Sequence, residues 1–177
     1  MYLDIAIGLI VGLVASIFTG ETDYKLVSFG VIAALAPDLD FLIYLFYQKG
    51  KINQYDYEHR DLLHKPLYFS VGIALLLFLF NPRYAGVWLL GTLWHFIHDT
   101  FDGGWGIRWL HPFSYGYYTL VPHSPKQFIR DKNEQHALAT EHGDPDWLRD
   151  GYLRFSKRLL FEWSVLSIAI VSIVLWF

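Results

Sequence analysis

Five apolar stretches, separated by short polar breaks, run along the chain. They cover residues 5–18, 26–47, 66–80, 84–98 and 159–177, and the second is interrupted by the polar segment "PDLD". Each stretch is long enough to form a helix. The break "NPR" at 81–83 is tight, so 66–98 predicts a helical hairpin. The pattern therefore predicts an all-α fold.

The distribution of apolar residues around each helix distinguishes a membrane protein from a soluble bundle of buried helices. The hairpin and both terminal stretches are apolar around most of the helix, whereas a surface helix of a small soluble protein shows a polar face. Stretches of 14 or 15 residues reach only about 22 Å of a hydrocarbon core about 30 Å thick. We predict a polytopic membrane bundle of about five helices, and leave open whether every stretch crosses.

Composition narrows the class further. The 177 residues predict a single domain, 1–177, in which a polar segment, 99–158, precedes a C-terminal helix, 159–177. The absence of cysteine excludes disulfides and thiolate metal ligands. A net charge of −3 without a basic stripe argues against nucleic acid. Membrane lipid is the expected environment, and the oligomeric state stays undefined.

Basic residues predict the orientation. If all five stretches cross the membrane, the segments 48–65 and 99–158 lie on the same side. That side carries 12 Lys and Arg residues, and the other side carries 2. Cytoplasmic loops carry the excess of positive charge. We therefore predict a multi-pass protein of a prokaryotic inner membrane, with its N-terminus on the cytoplasmic side.

Three polar motifs fall on that same side, near the ends of apolar stretches. They are "PDLD" with Asp38 and Asp40, "HRDLLHK" with His59 and His64, and "HFIHD" with His95, His98 and Asp99. Residues four apart share a helix face, a common way for one helix to supply two metal ligands. The predicted topology thus gathers the motifs into a polar site at the cytoplasmic interface.

Each motif also has an ordinary interpretation. Asp38 and Asp40 could cap a helix, but Pro37 allows a new helix to begin there and both carboxylates to face one site. An aspartate near the bilayer centre costs about 3 kcal/mol, which favours function. His59 and His64, five apart, need a turn between them in order to converge.

Imidazole and carboxylate groups without sulfur suit Zn²⁺ foremost, with Mn²⁺ or Fe²⁺ as alternatives, rather than Ca²⁺. The candidate ligands are enough for one or two ions with an open position for water. They are Asp38, Asp40, His59, His64, His95 and Asp99.

In order and spacing these motifs resemble the membrane-bound metal-dependent hydrolase family of the LexA-regulated type. The matching segments read "APDLD", "HRDLLH", "GTLWHFIHD" and "GIRWLHPF", and they span a core of about 26–115. The resemblance implies that the six candidates are metal ligands. That family is distantly similar to zinc-dependent phospholipase C, which implies phosphoester chemistry. Asp61 stands where the family has glycine.

The leading hypothesis is a metal-dependent hydrolase that cleaves a lipid-borne ester, foremost a phosphoester, with metal-activated water. Arg60 would hold a phosphate oxygen, and His98 or Asp102 would transfer the proton. A non-catalytic membrane protein with a structural metal site is the first alternative. An ion transporter is the second, since intramembrane acids often mark ion paths.

The segment 140–152 lies outside the core motifs. Its acids and its histidine could supply further ligands or cover the site, and the favoured interpretation is an interfacial helix after a "GDP" turn. These side chains are Glu141, His142, Asp144 and Asp146.

Overall fold

The computed structural model of the chain describes residues 1–18, 20, 23–101, 105–122 and 127–177. Helices dominate these residues. In chain order they are α1 (Tyr2–Phe18), α2 (Tyr24–Leu35), α3 (Leu39–Tyr47), α4 (Ile73–Phe78), α5 (Pro82–Phe101), α6 (Lys132–His142), α7 (Trp147–Tyr152) and α8 (Lys157–Trp176). The mostly helical fold is confirmed.

Short irregular helices connect the longer ones at three places. A single 3-10 turn, Ala36–Asp38, contains Pro37 and separates α2 from α3, as the proline predicts. A second 3-10 helix, Asp56–Asp61, carries the "HRD" motif. A π-helical turn, Leu67–Gly72, leads into α4, so the predicted hairpin is α4 and α5 with this wide turn before them.

One small sheet interrupts the helical fold. The strands β1 (Tyr117–Tyr118) and β2 (Ile129–Arg130) pair antiparallel, with Tyr117 opposite Arg130. They lie in the segment 99–158, for which no strand was predicted. Strands this short carry no alternation that a sequence pattern could reveal.

Glycines allow α1 and α2 to pack backbone to backbone. A Cβ atom on Gly8 would lie 2.6 Å from the carbonyl oxygen of Gly30, and one on Gly12 would lie 2.5 Å from Cα of Val27. Glycines four residues apart are typical of close helix pairs in membranes. On its other side, α2 packs against α5, where Gly91 meets Ala33.

The core lies between α2, α4 and α5. Ala33, Ala74 and Trp88 form its buried cluster, with Phe69 packed against it. The indole Nε1 of Trp88 donates to the carbonyl oxygen of Phe69 at 2.9 Å and so ties the π-helical turn to α5. This packing holds α5 in place beside the α2–α3 junction.

The outer surface is strongly apolar, most of all on α8. Leu175 is 82% exposed and Val174 70%, and Phe80 after α4 is 87% exposed. Two segments are long and apolar enough to cross a membrane, Tyr24–Tyr47 and Lys157–Trp176, while Tyr2–Phe18 and Leu67–Phe78 are apolar but shorter. These spans agree with a membrane protein.

Candidate metal centre

The six candidate ligands predicted from sequence lie together in one cluster. Three parts of the chain bring them there. Asp38 and Asp40 come from the α2–α3 junction, His59 and His64 from the 3-10 helix Asp56–Asp61 and the turn after it, and His95 and Asp99 from the last two turns of α5.

His95 is held from behind by the backbone of α2. Its Nδ1 donates to the carbonyl oxygen of Ala34 at 2.9 Å. The ring is 2% exposed. Its Nε2 faces two carboxylates, 3.4 Å from Oδ1 of Asp38 and 3.8 Å from Oδ2 of Asp99.

His64 occupies the centre of the cluster and is fully buried. Its Nδ1 contacts Oδ2 of Asp40 at 2.8 Å, and the same oxygen accepts from the backbone N–H of Leu63 at 3.0 Å. Its Nε2 lies 3.2 Å from Oδ2 of Asp99. The carboxylate of Asp40 therefore fixes the orientation of the ring.

His59 is held by its own 3-10 helix. Its Nδ1 donates to the carbonyl oxygen of Asp56, three residues earlier. The ring lies edge-on to that of His64, with centroids 5.5 Å apart. Burial, with the charge of Arg60 as the next cause, lowers the pKa of His59 to about 4, so the imidazole is neutral at pH 7.

All three histidines therefore share one arrangement: Nδ1 binds an oxygen, and Nε2 is left for the cluster. In protein metal sites, an oxygen acceptor at one ring nitrogen sets the tautomer that leaves the other nitrogen free to bind the ion. Nε2 of His64 and Nε2 of His95 are buried without a well-aligned hydrogen bond to any described residue. Such buried, unsatisfied atoms require explanation.

The separations between these atoms fit a shared ion. Donor atoms around a tetrahedral ion with bonds of about 2.05 Å lie about 3.3 Å apart. The observed separations from Nε2 of His64 and His95 to the nearest carboxylate oxygens of Asp99 and Asp38 are 3.2 and 3.4 Å. The residues present thus fit a small divalent metal.

Two overlapping sets of donors have the spacing of a metal site. They are Asp38, His64 and His95, and Asp40, His59 and His64. His64 belongs to both, and its Nδ1 already contacts Asp40. One nitrogen, Nε2, therefore remains for an ion, and it lies 3.2 Å from Oδ2 of Asp99.

The charge of the cluster also suits a cation. Three aspartates, Asp38, Asp40 and Asp99, meet one guanidinium, since Nη2 of Arg60 lies 3.2 Å from Oδ2 of Asp99. Burial alone would lower the pKa of His64, but the hydrogen bonds and charges of Asp40 and Asp99 raise it. The carboxylates that favour a proton on this ring would equally favour a metal ion.

The cluster opens to solvent at one residue. The side chain of Asp38 is 42% exposed, whereas those of His64 and His95 are at most 2% exposed. Structural metal sites are closed by their ligands, while catalytic ones keep an accessible position. Asp38 is thus the exposed edge of the cluster.

The three residues predicted to take part in catalysis are placed differently. Arg60 lies within the cluster, paired with Asp99. His98 contacts α1, where Oδ1 of Asp4 lies 3.1 Å from its Nδ1. Asp102 lies outside the described residues.

Sequence reasoning missed Asp4, although a signal was present. Asp4 is the one acid in the apolar run of α1, and it is 1% exposed in the structure. A charge at such a position requires a partner. In the structure, the partner of Asp4 on α5 is His98.

The segment 140–152 contributes nothing to either donor set within the described residues. Glu141 is 76% exposed and His142 40% exposed at the end of α6. Asp144 and Asp146 are also exposed. The helix α7 follows the "GDP" turn, as the favoured interpretation has it, and its place at the membrane interface stays a prediction.

The helical fold and apolar exterior define a membrane protein, and its buried histidine–carboxylate cluster is a candidate metal centre. The chain belongs to the YdjM inner membrane protein family, whose model matches residues 4–177. That description agrees with the predicted inner-membrane location and names no reaction. No curated protein and no solved structure matches the chain. The resemblance to metal-dependent hydrolases and to phospholipase C stays a prediction.

Proposed function

We propose that this protein is a metal-dependent hydrolase of the inner membrane that cleaves a lipid-borne phosphoester. One observation carries the proposal. Three buried histidines from separate parts of the site have Nδ1 held by an oxygen, and Nε2 of His64 and His95 face carboxylates at metal-site spacing.

The ion is best placed between Asp38, His64 and His95, with Asp99 beside it. Asp40 then orients His64 and is not a ligand of this first ion. His59 and Oδ1 of Asp40, which is buried without a hydrogen-bond partner among the described residues, offer a place for a second ion. Zn²⁺ suits these donors best, with Mn²⁺ and Fe²⁺ as alternatives.

Five crossing helices would put the site at the cytoplasmic face. The spans would be α1, α2 with α3, the helix Leu67–Phe78, α5 and α8. His95 and Asp99 would then lie near the cytoplasmic end of α5, and Asp38 and Asp40 in the half of the second span that leads to Lys49 and Lys51, on the side richer in positive charge. This arrangement extends the two spans that length and composition identify.

This chain offers a residue for each part of the reaction. When bound, a divalent ion would acidify a water molecule and polarise a phosphoryl oxygen. Arg60, at 12% exposure, would hold a phosphate oxygen while its other contact, Asp99, keeps it in place. His98, oriented by Asp4, is the group that would transfer a proton to the leaving oxygen.

The accessible edge of the cluster favours catalysis over a purely structural metal. A structural ion would be enclosed by its ligands, whereas the side chain of Asp38 is 42% exposed. An ion transporter would need polar side chains that continue through the bundle. The core packed beside the site consists of alanines, aromatic rings and aliphatic side chains.

Metal content tests the proposal first. The full chain is purified in detergent as wild type, Asp38→Ala, His95→Ala and the control His142→Ala, and bound metal is measured by mass spectrometry. We expect one or two equivalents of a transition metal in the wild type and the control, and strong loss in the other two. A folded wild type without metal would overturn the proposal.

Turnover is measured next, on short-chain phospholipids in mixed micelles. The same two variants should lose activity, and the control should keep it. Full metal occupancy without turnover on any lipid ester would favour the structural alternative.

A further inference from the structure

A second polar cluster lies directly beside the candidate metal centre, centred on Asp61. Nη2 of Arg108 lies 3.0 Å from its Oδ1, and Nζ of Lys132 lies 3.3 Å from its Oδ2. The hydroxyl of Tyr117 also donates to Oδ1. Three donors from separate parts of the chain thus converge on one carboxylate.

We propose that Arg108, Lys132 and Tyr117 form a binding subsite for a phosphate group, in which the carboxylate of Asp61 occupies the anion position. The inference rests on the proposed function in one respect: the subsite would hold the phosphate of the lipid that the metal centre cleaves. Its ligand chemistry, phosphate oxygen, stands on the cluster alone.

The charges of the cluster do not cancel. Arg108 and Lys132 share the single carboxylate of Asp61, which leaves one positive charge in excess. The guanidinium of Arg108 is 11% exposed, and its buried Nε has no hydrogen-bond partner among the described residues. A partly desolvated cation with a spare N–H is a strong donor for an anionic oxygen.

Tyr117 is suited to the same ligand. It lies under the guanidinium of Arg108, whose carbon is 4.5 Å from the ring centroid, and its hydroxyl accepts from Nη2 of Arg108 at 2.5 Å. Burial, and then its hydrogen bond to Asp61, raise the pKa of Tyr117. The phenol therefore stays protonated and can donate to an anion.

The cations near the cluster also act on a neighbouring histidine. Burial lowers the pKa of the neighbouring His111, and Lys65 and Arg108 lower it further, with Asp61 opposing them. Nδ1 of His111 is buried without a hydrogen-bond partner among the described residues. His111 thus offers a second unsatisfied polar atom near the same cations.

The chain places this subsite next to the metal centre. His59, Arg60 and Asp61 are consecutive on the 3-10 helix Asp56–Asp61, where His59 belongs to a donor set and Arg60 contacts Asp99. A phosphate that displaced Asp61 from Arg108 would contact the same short helix that carries Arg60. Lys132, 63% exposed, would be its contact at the solvent side.

Titration calorimetry on the full chain in detergent tests the subsite with two probes, inorganic phosphate and dihexanoyl phosphatidic acid. The variants are Arg108→Lys, Lys132→Ala and Asp61→Asn, with Arg149→Ala as the matched control on α7. Removal of a charge-assisted contact should weaken binding about tenfold or more in the first two. The control should bind as the wild type does.

Asp61→Asn gives the decisive result. If the carboxylate occupies the anion position, its neutralisation should strengthen phosphate binding, by about tenfold. A cluster that only stabilises the fold predicts the opposite: lower thermal stability and unchanged or weaker binding. That result, or wild-type affinity in Lys132→Ala, would overturn the proposal.

The two probes distinguish the source of the phosphate. Tighter binding of the lipid, lost with Lys132→Ala, assigns the subsite to a lipid headgroup, and equal binding assigns it to free phosphate.

His95→Ala separates this proposal from the proposed function. If it holds no metal but binds phosphate with wild-type affinity, the subsite does not depend on the metal. If the wild type holds no metal but the variants bind phosphate in the expected order of affinity, the proposed hydrolase function is refuted and the phosphate subsite is not.

Discussion

The role of Asp40 yields a sharp prediction, because a residue that orients a metal-binding histidine and a residue that binds the metal itself respond differently to substitution. Asp40 is 1% exposed, and its Oδ2 contacts Nδ1 of His64 at 2.8 Å and the N–H of Leu63 at 3.0 Å. In Asp40→Asn, the amide oxygen can still accept both hydrogen bonds. The negative charge that raises the basicity of His64 is lost.

The magnitude follows from these contacts. Loss of a residue that orients a metal-bound histidine typically lowers metal affinity about 10- to 100-fold, or about 1.4 to 2.7 kcal/mol. The metal-free protein should be nearly as stable as the wild type. Asp40→Ala, by contrast, leaves two buried donors unsatisfied at about 1 to 3 kcal/mol each, so it should also lower the free energy of unfolding.

Chelator competition measures the affinity, and thermal unfolding of the chelated protein measures the stability. Asp146→Asn, an exposed aspartate on the surface, is the matched control. Two results would refute the reasoning. Complete metal loss in Asp40→Asn, as in His95→Ala, would show that Asp40 is a direct ligand. Unchanged metal affinity would show that the charge of Asp40 has no part in metal binding.

Three further predictions concern packing and the bound ion. Gly12→Ala would push a Cβ to 2.5 Å from Cα of Val27 and should cost about 1 to 3 kcal/mol in thermal unfolding, while Gly86→Ala, with open space around it, should not destabilise. Trp88→Phe removes the bond to the carbonyl of Phe69 and should cost about 1 kcal/mol beyond the packing loss. Chelation should lower the unfolding temperature, as expected when about 2.7 kcal/mol of binding energy is lost at an ion concentration 100 times Kd; no shift on chelation would contradict a metal bound in the native state.

The helices were largely predictable, because apolar runs determine where a helix must be buried or face lipid. Their ends were less so. The second run was predicted from 26, but α2 begins at Tyr24, because the side chain of Asp23 accepts from the N–H groups of Lys25 and Leu26. Polar first turns of this kind extend a helix beyond the region that hydropathy marks.

The candidate ligands were predictable from spacing, but the groups that orient them were not. His95 and Asp99 are four residues apart, so helix geometry alone places them on one face. The acceptor of His95 is the backbone carbonyl of Ala34, 61 residues earlier. Every residue carries such a carbonyl, so no sequence pattern singles this one out, and only the packing of α2 on α5 selects it.

The "HRD" motif shows how structure divides what sequence groups together. His59, Arg60 and Asp61 are adjacent, and a 3-10 helix turns successive side chains about 120° apart. Each residue therefore has a different partner: the histidine cluster, Asp99, or the cations Arg108 and Lys132. In the sequence, Asp61 is only a departure from a family pattern. Because Asp61 contacts Arg108 and Lys132 and belongs to neither donor set, its substitution should change phosphate binding while bound metal stays at the wild-type level.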